Sequence, residues 1–185
     1  MADQFDQLSH KHQDFITRQH IFFVGSAAPE ARVNITPRST EHLRIAGPAE
    51  VLFLDLTGSS NETAAHMRAD GRLTLMFCAF EGPPLILRLY GRGRAVRYDA
   101  PQFATLWETH FGGEIPKAAR QIFVQSIDLV QTSCGFGVPA FQYERERPAL
   151  RNWAAKKSRA EIESYWREKN VTSIDGLPTG LFDDV

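Results

Sequence analysis

Residues 51–80 read VLFLDLTGSSNETAAHMRADGRLTLMFCAF, and this stretch decides the fold. Val51–Leu56 and Leu73–Phe80 are apolar runs of strand length, and the second is continuous enough to be a strand buried on both faces. Residues 59–70 between them favour a helix. The stretch therefore predicts two buried strands joined by a polar loop and a short helix.

On both sides of this stretch, the sequence predicts more strands, which are closely spaced and have few helices between them. The strands are Ile21–Gly25, Arg32–Thr36 (ended by Pro37), Leu43–Ile45, Leu85–Tyr98 and Ile122–Gln131. The helices cover residues 5–18, Pro101–Phe111 and Leu150–Asn170. The chain lacks βαβ alternation and the glycine-rich nucleotide motifs. These patterns predict a mainly β fold with flanking helices, an antiparallel Greek-key barrel.

Composition divides the chain near residue 145. Residues 1–145 hold the predicted strands and the leading helix, whereas residues 146–185 are polar, helical and then rich in turns. We expect 1–145 to be the barrel domain and 146–185 to be an extension that packs on the barrel or on a partner subunit. Within the barrel, Gly91 and Gly93 predict a bulge or bend in a long strand.

The overall charge is nearly balanced. The 185 residues contain 21 Lys and Arg, 22 Asp and Glu, and 43% hydrophobic residues, which is typical of one globular domain and argues against nucleic-acid binding through a broad basic surface. No apolar run approaches the ~20 residues of a membrane span. Residues 1–15 lack the apolar core of a secretory signal, so we expect a cytoplasmic protein without membrane contact.

The cysteines and histidines do not indicate a metal site. Cys78 and Cys134 are far apart in the sequence, and their apolar neighbours predict reduced core thiols. The six histidines form no recognisable metal-binding spacing, so we expect no metal.

The loop that opens the predicted helix has two interpretations. Ser59 and Glu62 have the spacing of a capping box, in which each satisfies a backbone N–H of the other. Alternatively, the helix start binds a phosphate group through free N–H donors, with Ser59, Ser60, Asn61 and Thr63 adding polar side chains. The local sequence leaves both interpretations open.

Two further segments carry candidate ligand residues. In the segment VNITPRS, Thr36 lies on the polar face of a strand and Arg38 follows, where it could clamp a phosphate or remain a surface arginine. Gln125 and Ser126 lie in the last predicted strand, upstream of the turn-rich segment 132–139. That segment is either a packed loop or part of a ligand pocket or subunit contact.

Several segments together resemble the pyridoxamine 5′-phosphate oxidase-like family of flavin proteins. The resemblance covers about residues 8–181 and rests on the order of VNITPRS (33–39), GSSNETAAH (58–66), LILRLYGRGRAV (85–96), SCGFGVP (133–139) and SIDGLPTG (173–180). It implies an FMN-binding split barrel and a homodimer with FMN sites at the subunit interface. It also implies an oxidoreductase in which FMN transfers a hydride or electrons to or from an unidentified small molecule.

The resemblance also implies cofactor-binding residues, although it identifies no catalytic one. On this chain they are Thr36, Arg38, Ser59, Ser60, Asn61 and Thr63, with Gln125 and Ser126 approaching from the second subunit. The family's oxidases have Arg and Lys in the helix-opening loop, where this chain has Asn61-Glu62-Thr63. A deazaflavin in place of FMN, a non-catalytic flavin or haem carrier or sensor, and a barrel that has lost flavin and serves as an interaction domain are the alternatives.

Overall fold

The fold is built on one antiparallel sheet. The computed structural model describes residues 2–183. The strands are β1 (Asp3–Phe5), β2 (Ile21–Ser26), β3 (Asn34–Ser39), β4 (Leu43–Gly47), β5 (Glu50–Leu56), β6 (Arg72–Cys78), β7 (Ile86–Arg97) and β8 (Ala119–Ser133). The helices are α1 (His10–Thr17), α2 (Glu62–Ala69), α3 (Pro101–His110), α4 (Ala149–Ala155) and α5 (Arg159–Lys169). Among residues 2–183, no helix is long and apolar enough to cross a membrane.

The sheet is curled into a split barrel. Its strand order is β3-β2-β6-β7-β8-β5-β4, and β1 pairs with β8 outside this path. Although β3 and β5 lie far apart in that order, Arg38 on β3 approaches Asp55 on β5 to 2.6 Å. The two ends of the sheet therefore meet across the open side, and the predicted antiparallel barrel is confirmed.

Two apolar layers bury the sheet. Side chains alternate between the two faces of a strand, and β5 is buried on both, so its residues contribute to each layer. The barrel interior is filled mainly by Phe22, Val24, Phe53, Leu75, Phe77, Leu89 and Phe123. The outer layer packs α3 on β5, β7 and β8 through Leu52, Leu54, Val96, Phe103, Trp107, Ile122 and Val124.

The C-terminal extension packs on the barrel of its own chain. Trp166 on α5 is fully buried and donates its indole N–H to Thr57 Oγ1 at 2.8 Å. Residues 150–170, predicted to be helical, form two helices, because the chain breaks between α4 and α5. Ser158 starts α5 in a capping box with Glu161, a start signal that the sequence analysis overlooked.

Two local predictions, the strand end at Pro37 and the burial of Cys134, are wrong. Pro37 does not end its strand, because β3 continues to Ser39 with Pro37 opposite Phe23. Proline is tolerated there since β3 is an edge strand, and its missing N–H breaks no ladder bond on the solvent side. Cys78 is buried as expected, but Cys134 is exposed in the turn after β8.

The predicted irregularity in the long strand β7 is present. The register between β7 and β8 shifts between Tyr90 and Gly91. A Cβ atom added at Gly91 would lie 1.9 Å from the carbonyl oxygen of Ser126. The close approach of the two backbones therefore requires glycine.

We expect Gly91→Ala to lower the free energy of unfolding by about 3 kcal/mol or more, because backbone atoms must move to admit the methyl group. Gly137→Ala is the matched control, since a Cβ there meets nothing within 4 Å. Equilibrium urea unfolding of both variants measures the difference. Equal stability of the two variants would contradict the tight contact at Gly91.

Candidate functional site

A cleft lies at the open side of the barrel, between the end of β3, α4 and the helix-opening loop, which is the loop of residues 57–61 between β5 and α2. Its volume is about 830 Å³, and we refer to it as the edge cleft. Its polar lining includes Thr36, Arg38, Ser39, His42, Ser59, Ser60 and Arg120. The structure thus brings four of the predicted cofactor ligands, Thr36, Arg38, Ser59 and Ser60, to one cavity.

A second, larger cleft adjoins the first. The aromatic cleft, of about 1140 Å³, shares Pro37, Arg38 and Ser39 with the edge cleft. Its aromatic lining consists of Phe15, His20, Phe80, Phe141 and Tyr143. The rings of His20 and Tyr143 stack with centroids 3.7 Å apart. Charged side chains line both clefts, whereas most of the aromatic side chains lie in the second one.

The edge cleft is lined by more basic than acidic side chains. The basic ones are Arg38, Lys117, Arg120, Arg147 and Arg151, and the acidic ones are Glu41, Glu114 and Glu146. Burial lowers the pKa of His42 below its ordinary value, so this imidazole is uncharged at pH 7 and adds no positive charge. The field in the cleft therefore favours an anion.

A buried carboxylate lies behind this basic lining. Asp55 is inaccessible to solvent, and its Oδ2 accepts hydrogen bonds from Arg120 Nε and Gln121 Nε2, each at 2.8 Å. The Nη2 of Arg120 lies at the same distance, and Arg38 Nη1 lies 2.6 Å from Oδ1. Burial by itself raises the pKa of Asp55, but the two guanidinium groups and the hydrogen bonds outweigh it, so the pKa lies below its ordinary value.

The contact with Asp55 uses only part of the hydrogen-bonding capacity of the Arg38 guanidinium. This contact is an ion pair without hydrogen-bond alignment, and the buried Nε of Arg38 has no hydrogen-bond partner among residues 2–183. The side chain is 24% exposed, and it lines both clefts. With Arg120, two arginines face one carboxylate, which leaves one positive charge uncompensated. An anion in the edge cleft would supply the missing charge and would accept hydrogen bonds from the exposed part of the guanidinium.

The helix-opening loop offers further donors. In the described part of the chain, no hydrogen bond uses the backbone N–H of Gly58, Ser59 or Ser60. Both serine side chains are exposed. Arg120 Nη1 donates to the Ser60 carbonyl oxygen at 3.0 Å and so fixes the loop against the buried carboxylate. Anion binding by this loop is chemically reasonable.

The capping-box interpretation of this loop is wrong. Helix α2 begins at Glu62, and its N-cap residue Asn61 makes no side-chain capping bond. The Glu62 carboxylate instead accepts the backbone N–H of Ile174, at 3.1 Å and 3.2 Å to its two oxygens. The C-terminal segment thus covers the start of α2 and occupies the one acidic group of the loop.

Asn61 and Thr63 use their polar atoms inside the protein. Asn61 is 3% exposed; its Oδ1 accepts from Gln121 Nε2 at 2.7 Å and its Nδ2 donates to the Asn170 carbonyl at 3.3 Å. Thr63 is 4% exposed, and its Oγ1 accepts from Asn34 Nδ2 at 3.2 Å. Neither residue lines the edge cleft, and their role as cofactor ligands stays a prediction.

Gln125 and Ser126 also lie away from both clefts of their own chain. Gln125 is buried in the barrel, where its Nε2 donates to the carbonyls of Leu73 at 2.9 Å and Leu89 at 3.0 Å. Ser126 is exposed on the outside of the barrel. Their expected approach to a cofactor from a second subunit stays a prediction.

The sequence analysis missed three residues of the site: Asp55, Arg120 and Gln121. A signal for Asp55 was present, since an acid inside the apolar run VLFLDL requires a partner when the strand is buried. Its partners are 65 and 66 residues away in sequence, so no local pattern connects them to it.

The buried carboxylate predicts how stability depends on pH. Because the pKa of Asp55 is lowered by folding, its stabilising contribution is present above about pH 4, the ordinary value, and is lost as the pH falls further. At pH 7 we expect Asp55→Asn to lower the free energy of unfolding by about 3–5 kcal/mol, because two arginines lose their partner.

The difference between wild type and Asp55→Asn should shrink as the pH is lowered from 5 to 3, and urea unfolding at each pH measures it. Asp99→Asn, which removes the acid of an exposed ion pair with Arg97, is the control and should differ little from wild type at any pH. A gap for Asp55→Asn that is constant with pH would show that the carboxylate is not preferentially ionised in the folded protein.

Comparisons with known proteins agree with the fold and identify the family. The sequence model of pyridoxamine 5′-phosphate oxidase matches residues 8–134. The Aspergillus flavus "pyridoxamine 5′-phosphate oxidase family protein ustO" is 33% identical over 190 aligned residues, which cover 94% of this chain and 76% of that protein.

Two solved structures share the fold at low sequence identity. HupZ of Group A Streptococcus superposes with a TM-score of 0.50 at 13% identity, over 74% of this chain and 99% of that chain. A provisionally assigned pyridoxamine 5′-phosphate oxidase of Lactobacillus delbrueckii gives 0.51 at 12% identity, over 68% and 94%. Since the family match spans most of the barrel, the chain belongs to the pyridoxamine 5′-phosphate oxidase family.

Proposed function

We propose that this chain is an FMN-dependent oxidoreductase that acts on a small molecule and holds the FMN phosphate in the edge cleft. The observation that carries the proposal is Arg38, a partly exposed arginine that lines this cleft and shares a single buried carboxylate with Arg120. Membership in a family of flavin enzymes supports the choice of ligand.

The residues present suit a phosphate group. A guanidinium presents several N–H donors to phosphate oxygens in one plane, and Ser59 and Ser60 add hydroxyl and backbone N–H donors. Glu62, which stands where the family's oxidases have a basic residue, is engaged by the backbone of Ile174. Arg38 and the loop therefore replace the missing basic pair in this proposal.

The aromatic cleft suits the rest of the cofactor. An elongated ligand with a phosphate at one end and a flat ring at the other matches two adjoining clefts of these characters. When bound, FMN supplies hydride or electron transfer. The chain's own residues would bind the phosphate, and Pro37, Phe141 and Tyr143 of the aromatic cleft would hold the ring and limit its contact with water.

A homodimer is part of the proposal. Val33 and Ile35, on either side of the start of β3, are each 69% exposed, and exposed apolar side chains of this kind are typical of subunit contacts. A second subunit would cover such a surface and bring its own residues, among them Ser126, towards the cofactor. Light scattering of the purified protein measures the oligomeric state, and a monomer at micromolar concentration would remove this part of the proposal.

We expect Arg38→Gln to raise the Kd for FMN about tenfold or more, because a charged hydrogen-bond donor to the phosphate is lost. Arg72→Gln is the matched control: Arg72 is also a strand arginine 2.6 Å from an aspartate, but it lines neither cleft. Titration of FMN fluorescence measures both variants. An unchanged affinity in Arg38→Gln would place the phosphate elsewhere.

Anaerobic mixing of the FMN-loaded protein with NADH or NADPH separates an oxidoreductase from a carrier. Bleaching of the flavin absorption, followed by reoxidation with an added acceptor, is expected for the oxidoreductase. A flavin that no nicotinamide reduces would favour the carrier or sensor alternative. Failure of the wild type to bind FMN at micromolar concentration would refute the cofactor assignment itself.

A further inference from the structure

We infer that Asp55 is a positioning residue of the anion site, which holds the guanidinium of Arg38 at the edge cleft. The inference rests on the proposed function, because it assumes that Arg38 contacts a phosphate. Asp55 itself lies behind the lining and does not face the cleft. It would act on the ligand mainly through Arg38, and to a smaller extent through Arg120 and the loop at Ser60.

The carboxylate of Asp55 is held in place by contacts other than the one with Arg38. Its Oδ2 receives Arg120 Nε, Arg120 Nη2 and Gln121 Nε2, all at 2.8 Å. These contacts leave Oδ1 to Arg38 Nη1, at 2.6 Å. Since Arg120 is itself fully buried, the orientation of Asp55 is set by the barrel wall rather than by solvent-exposed groups.

The same carboxylate connects the two parts of the anion site. Arg38 lies on β3, whereas Ser60 lies in the loop that follows β5. Arg120 joins them because it binds Asp55 with Nε and the Ser60 carbonyl with Nη1. The donors of the strand and the loop are therefore held at a fixed separation through Asp55 and Arg120.

Arg38 benefits from such a restraint. A free arginine side chain loses rotamer entropy when it is immobilised. Because the contact with Asp55 already immobilises the side chain in the folded protein, less entropy is lost when the anion binds. The side chain of Arg38 stays 24% exposed, so its guanidinium remains available to the ligand.

Positioning and electrostatics alone predict opposite effects of Asp55→Asn on the Kd for FMN. Asp55→Asn removes a negative charge near an anion, so the field alone predicts tighter binding of FMN. Loss of positioning predicts weaker binding, despite the more positive site. Asp55→Glu keeps the charge but moves the carboxylate, so positioning predicts weaker binding there too and the field alone predicts no change.

The experiment is a double-mutant cycle of Asp55→Asn and Arg38→Gln with the Kd for FMN as readout. We expect Asp55→Asn to raise the Kd about tenfold when Arg38 is present and by no more than about twofold in the Arg38→Gln background, where only the link through Arg120 to Ser60 remains. Equal increases in both backgrounds, or tighter binding by Asp55→Asn with Arg38 present, would overturn the inference. Circular dichroism checks that each variant is folded, and Asp55→Glu carries the test if Asp55→Asn is not.

A readout without FMN makes the two proposals separable. The ¹⁵N–¹H signal of Arg38 Nε, assigned by its loss in Arg38→Gln, should exchange slowly with water in the wild type and fast in Asp55→Asn or Asp55→Glu. If the wild type binds no FMN, the proposed function fails, and this signal still tests the restraint on Arg38. Exchange that is unchanged in the folded Asp55 variants would overturn the positioning role.

Discussion

The ion pair between Asp55 and its two arginines is the constraint on which the site depends. A carboxylate without solvent contact is tolerated only when its charge is matched, and Arg120 and Gln121 achieve this from the neighbouring strand β8. The contact with Arg38 links this carboxylate to β3, at the far end of the sheet. One buried charge thus joins β3 to β5, which are not neighbours in the sheet, and the edge cleft lies where they meet.

The C-terminal extension supports the same region from the opposite side. Trp166 donates to Thr57, and the buried Asn170 donates to the Gly58 carbonyl at 3.2 Å. Glu62 accepts the backbone N–H of Ile174. The start of the helix-opening loop is consequently held between the barrel wall and the tail, so its shape is determined by residues from both parts of the chain.

Local sequence patterns predicted the fold better than the site. Apolar runs and glycine positions are read within a few neighbours, which is why the strands and the bulge at Gly91 were predicted. Arg38, Ser59 and Ser60 were predicted as phosphate ligands because their types and neighbours suit phosphate, and the structure brings them to one cleft. The links to Asp55 and the bond between Glu62 and Ile174, which are 112 residues apart, depend on the folded geometry. The same limit explains the wrong capping box, since Ser59 and Glu62 have the right spacing while the tail supplies a competing donor.

Pro37 in β3 has a consequence for how other chains can approach. An edge strand ordinarily presents a row of N–H and C=O groups that can template another strand. Proline occurs in strands where its nitrogen faces away from the paired neighbour, so it interrupts that row of donors at the centre of β3. Extension of the sheet across this edge is therefore disfavoured. A chain that docks here must do so through side chains such as Ile35, which favours a finite assembly over open-ended strand addition.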